Sequence, residues 1–138
     1  MREFGAPTDF VRLCNHPLVT KVLVEGSVLL IGTKVLSIYG KPIGAYAISI
    51  MTGHAPTVSC FNLSMVVKAT NGEFHGPHVS GQQGKICMST THVNELMRYI
   101  KGGKLTEATF FIIDALQQTN GNHFIAVESW PDIETGGD

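Results

Sequence analysis

The sequence predicts an α+β domain: a short N-terminal helix, a four-stranded antiparallel meander, a long loop, then C-terminal helices. Three observations predict it. Runs rich in β-branched and other aliphatic residues, punctuated by Gly and Pro, fill residues 18–69. Periodicity disappears from Glu73 to Ser89, where Gly76, Gly81 and Gly84 accompany Pro77. Apolar residues then recur at helical spacing from Val93 onward. Strands grouped first and helices after argue against an alternating α/β arrangement.

Thr8 to Asn15 reads as a short helix, capped by Thr8, with Phe10, Leu13 and Cys14 on one side. Leu18 to Glu25 and Val28 to Ile38 read as two strands, joined at Gly26-Ser27 by a hairpin turn. Gly40 and Pro42 break the chain before a third strand, Ile43 to Met51. Gly53 to Pro56 is a turn. Thr57 to Ala69 is a fourth strand, with Val58, Cys60, Phe61, Leu63, Met65 and Val67 mostly alternating.

Asn71-Gly72 ends the meander, and the irregular loop that follows has a length often reserved for function. Val93, Leu96, Met97 and Ile100 then form an apolar stripe on a helix beginning near Thr91, which Gly102-Gly103 stops. Thr106 is placed to cap a last helix, with Leu105 and Phe110 as a hydrophobic staple. That helix runs to about Gln118, and Thr109, Ile112, Ile113 and Leu116 repeat the stripe. Both stripes are expected to face the core. His123 to Glu128 reads as a final short strand, and the tail from about 132 to 138 as frayed.

With 138 residues, the chain suits a single domain over 1–138, and 43 % hydrophobic against 15 % charged residues is ample for a core. A net charge of -1 creates no field for phosphates or lipid headgroups, so neither nucleic-acid nor membrane partners are expected. No secretory signal or membrane-length apolar run is visible. The 3 cysteines are widely spaced and form no CxxC pair, which fits a reducing, cytoplasmic setting. The loop glycines match neither GxxxxGKS nor GxGxxG, and no cofactor is expected.

The chemistry-bearing residues concentrate in the loop, which reads Phe74-His75-Gly76-Pro77-His78-Val79-Ser80 and continues to Gly84-Lys85-Ile86-Cys87-Met88. A cysteine acts as a nucleophile when a nearby cation or a helix N-terminus favours its thiolate. Lys85 and His78 are candidate cations, and the following helix is a candidate dipole. The plainer reading makes Cys87, between Ile86 and Met88, a packed and inert thiol. His75, His78, Cys87 and His92 also form a conceivable zinc set, but their spacing follows no finger pattern and no metal is assigned. Cys14 and Cys60 read as structural, and His16, His54 and His123 as turn or strand-end residues.

This loop resembles the active-site segment of ubiquitin-conjugating enzymes, in the divergent form found among bacteria and their viruses. Those enzymes carry Phe-His-Pro-Asn-Val, a short glycine-containing loop, then Ile-Cys-Leu with the thioester-forming cysteine. The matching residues are Phe74, Pro77, His78, Val79, Gly84, Ile86, Cys87 and Met88. The order of elements agrees from about Phe10 to Asn120. His78 stands where the family has asparagine, the spacing to Cys87 is one residue longer, and the usual nearby tryptophan is absent. The resemblance implies that Cys87 carries a ubiquitin-like protein as a thioester and passes it to an amine. His78 then stabilises the oxyanion or holds the loop, and His75 is a base or structural. The implied partners are a ubiquitin-like protein and its activating enzyme. The alternatives are an inactive module of the same fold that binds a protein partner, and a viral structural or assembly subunit.

Overall fold

The computed structural model describes residues 7–64, 74–76, 79–80, 84–86 and 88–118. It is an α+β structure. Helix α1 (Pro7–Cys14) leads into β1 (Val19–Glu25), β2 (Val28–Ile38), β3 (Lys41–Met51) and β4 (Thr57–Asn62). These form one antiparallel sheet in the order β1-β2-β3-β4. Three short strands follow: β5 (Phe74–Gly76), β6 (Val79–Ser80) and β7 (Lys85–Ile86). Two helices, α2 (Thr90–Lys101) and α3 (Leu105–Leu116), complete the described chain.

The helix start differs from the expectation. Pro7 opens α1, where its missing N–H costs nothing, so Thr8 lies inside the helix and is not its cap. Leu13 is fully buried, whereas Cys14 is exposed.

The two hairpins use different local chemistry. Gly26 takes a positive φ of 60° in the two-residue connection between Glu25 and Val28. The β2–β3 connection places both Tyr39 (φ 53°) and Gly40 (φ 77°) in the left-handed region. Two successive positive φ values match the strand twist and let β3 begin at Lys41. Pro42 therefore does not break the chain: it pairs with Ser37 beside a register shift. A shift of register is where a strand tolerates proline.

Alternation assigns the faces of the sheet. Leu29, Ile31, Leu36 and Ile38 of β2 and Ile43, Tyr46, Ile48 and Ile50 of β3 point to the core. Opposite them lie Leu96 and Ile100 of α2 and Leu105, Ala108, Ile112, Ile113 and Leu116 of α3. Thr109 is buried as expected, and its hydroxyl donates to the Leu105 carbonyl at 2.8 Å. Thr106 does not cap α3. It lies inside the first turn, buried, and Lys104 takes the N-cap position without a side-chain bond. The helix ends at Leu116, and the Gln117 side chain accepts from the Ser37 amide at 3.3 Å, tying it to β2.

The fourth strand is shorter than expected because Asn62 ends it. Asn62 donates through Nδ2 to the Ile43 carbonyl at 2.8 Å and accepts from the Ser64 amide at 3.0 Å. The Ser64 amide is thereby turned away from strand pairing, and Leu63 is 65 % exposed. Residues 65–69 of the expected strand, and His123 to Glu128, lie outside the described residues.

Candidate functional site

The region expected to be one irregular loop contains a second small sheet, in the order β5-β6-β7. Phe74 pairs with Ser80, and Val79 and Ser80 pair with Ile86 and Lys85. Val79 is fully buried and belongs to the main core. Short two-residue ladders carry little periodicity, which is why the sequence pattern does not display them.

Gly84 fastens this sheet to the larger one. Its carbonyl accepts from the Cys60 amide at 2.8 Å. Its φ is 68°, and a side-chain carbon added there would strike the Cys60 backbone. Both the conformation and the close approach demand glycine.

Cys87 and His78 lie outside the described residues, as do the links at 77, 81–83 and 87. The backbone of His75 belongs to β5. Ile86 and Met88 are both half-buried and pack against the core. Ser89 caps α2: its hydroxyl accepts from the His92 amide at 3.2 Å. His92 is exposed, with its ring edge-on to Phe111 at 5.8 Å. Met88 and His92, with Phe111, Asp114, Ala115 and Gln118, line a cleft of about 150 Å³ between α2 and α3.

The other thiols and histidines have separate positions. Cys60 is fully buried, and burial pushes its thiol up to about 12, so it stays protonated and unreactive at neutral pH. Burial also raises the Tyr46 hydroxyl far above the ordinary phenol value, against a smaller opposing hydrogen bond with Asn62. His16 has a structural role: its Nδ1 accepts from the Leu18 amide at 3.0 Å, and its ring lies 4.7 Å from that of Phe110. His54 is exposed in the bend after β3. Among the described residues, no three His, Cys, Asp or Glu side chains converge to hold a metal ion.

A feature the sequence pattern misassigns is the groove between β4, β7 and α2. It has a volume of about 300 Å³ and is bordered by Val58, Lys85, Ile86, Met88, Leu96 and Met97, among others. Val93, expected in the core stripe, is 37 % exposed and lines the groove. Helical spacing identifies an apolar face but not whether a neighbour covers all of it. Among the described residues, no helix is long and apolar enough to cross a membrane.

Comparison of the chain with protein-family models, curated proteins and solved structures found no match.

Proposed function

We propose that this chain is a ubiquitin-conjugating-like protein that carries a ubiquitin-like modifier as a thioester on Cys87. The observation that carries the reading is the position of residue 87 in the chain. It falls between the end of β7 at Ile86 and the Ser89-capped start of α2. A helix N-terminus favours a thiolate over a thiol. The order of helix, four-stranded meander, small sheet and two helices supports the same reading.

The reaction consists of two acyl transfers. The Cys87 thiolate attacks the thioester carbonyl of a modifier held on its activating enzyme. A new carbon–sulfur bond forms, the old one breaks, and the activating enzyme's thiolate leaves. An amine of the acceptor then attacks the Cys87 thioester. A carbon–nitrogen bond forms, the Cys87 thiolate departs, and the amine proton passes to His75 or to water. In this reading His78 donates a hydrogen bond to the oxyanion or holds the segment in place.

Intact-mass spectrometry tests the proposal. The wild type and Cys87→Ala are each incubated with ATP, an activating enzyme and its modifier taken from neighbouring genes. A reductant-sensitive adduct is expected on the wild type and none on Cys87→Ala. No adduct on the wild type, while the same system charges another acceptor, overturns the enzyme reading and leaves a protein-binding or assembly role.

A further inference from the structure

Among the described residues, the outer edge of β4 bonds the small sheet at Cys60 and not at Val58. Residues of β4 alternate in where their backbone groups point. The Cys60 amide turns away from β3 and donates to Gly84, while the Leu63 amide turns toward β3 and donates to Ala45 at 2.7 Å. By this alternation, the N–H and C=O of Val58 point away from β3, on the same side as the Cys60 amide. Main-sheet pairing of β4 is with β3 alone, and no described group bonds the outward backbone of Val58. An open strand edge is a template for another strand.

Beside that edge lies the groove of about 300 Å³. Its wall is apolar: Val58, Ile86, Met88, Val93, Leu96 and Met97. Lys85 stands exposed at its rim. Open backbone groups beside an apolar trough define the chemistry of strand addition: the main chain supplies affinity, and alternate side chains fill the trough.

We infer that this edge and groove dock an extended peptide segment of a partner protein. The segment hydrogen-bonds to both backbone groups of Val58. Its apolar side chains enter at alternate positions between β4 and α2, and an acidic residue faces Lys85. Docking requires no chemistry at Cys87, so it goes beyond the proposed reaction and stands apart from it.

The test is to pan a phage-displayed library of random heptapeptides on the full-length chain and measure binding of the enriched peptides by fluorescence polarisation. Sequences with alternating apolar residues and an acidic position are expected. Val58→Pro removes the outward N–H without taking a hydrogen bond from β3, and edge strands tolerate proline. It is expected to weaken binding about tenfold, the scale of one net hydrogen bond. Met97→Glu is expected to abolish binding, and Leu23→Thr, on the far strand β1, to leave it unchanged. N-methylating each peptide amide in turn provides a second readout should Val58→Pro not fold. A loss of about tenfold is expected at the amide that pairs with the Val58 carbonyl. Failure to enrich any peptide overturns the proposal. So does binding that Met97→Glu leaves intact, or binding that neither Val58→Pro nor any N-methyl substitution changes by more than twofold.

Discussion

The Cys60 amide donates to the Gly84 carbonyl at 2.8 Å, and this bond joins the main sheet to the small sheet that precedes position 87. Gly84→Ala is the direct probe. The new methyl meets the Cys60 backbone and the φ of 68° is strained for alanine. A loss of at least about 2 kcal/mol is expected, since both strain and collision contribute. Urea denaturation measures it. Unchanged stability would show that this contact is not formed.

Asn62 satisfies the Ile43 carbonyl and the Ser64 amide at once, and its side chain also bonds the buried Tyr46 hydroxyl. Asn62→Ala removes all three bonds. Each buried unsatisfied group costs about 1–3 kcal/mol, so a loss of roughly 3 kcal/mol or more is expected in thermal or chemical melts. Tyr46→Phe removes one partner and is expected to cost less.

Alkaline pH is expected to destabilise the fold. The Cys60 thiol is raised from its ordinary value of 9.0 to about 12 by burial. The folded state therefore holds a proton that the unfolded state releases. Stability from this group is complete below pH 9 and is lost as pH rises towards 12. A loss on the order of 1 kcal/mol is expected at pH 10 from Cys60, with more from Tyr46, whose shift has the same sign. Urea melts at pH 7, 9 and 10 check it. Cys60→Val is expected to flatten the slope, and a slope it leaves unchanged would remove Cys60 as the cause.

Ser89→Ala removes the α2 cap and is expected to cost about 1 kcal/mol. Ser89→Asp keeps a cap and places a negative charge at the helix N-terminus, so stability is expected to hold. Under the proposed function, that charge opposes a Cys87 thiolate, and iodoacetamide labelling of Cys87 is expected to slow severalfold. Equal labelling of Ser89→Asp and wild type would count against a helix-assisted thiolate.

His16→Ala is expected to cost about 1 kcal/mol through loss of the acceptor for the Leu18 amide. His16→Asn is expected to recover part of this, because an asparagine oxygen also bonds the backbone two residues on. Thermal melts of the two variants distinguish the hydrogen bond from the ring contact with Phe110, which both variants lose.

The candidate site was legible mainly as a concentration of residue types. His75, His78 and Cys87 stand out because a Gly- and Pro-rich stretch without periodicity carries them. The tie from Gly84 to Cys60 was not legible, because it joins residues 24 apart in the chain, and neither local propensity nor spacing encodes that pairing. The groove was hidden for a related reason: Val93 and Met97 occupy helical positions that look like core until the position of β4 is known.

By itself, the sequence determined the α+β class, the order of the four meander strands and the two C-terminal helices. Alternation and helical spacing are local, so residues a few positions apart report them. Tertiary structure decided where those elements stop and what they touch. Asn62 ends β4 by bonding Ile43 and Ser64, Thr106 enters the core without capping a helix, and Gln117 reaches the amide of Ser37. Each outcome depends on how a polar group finds its partner, which is set by the segments the fold brings together.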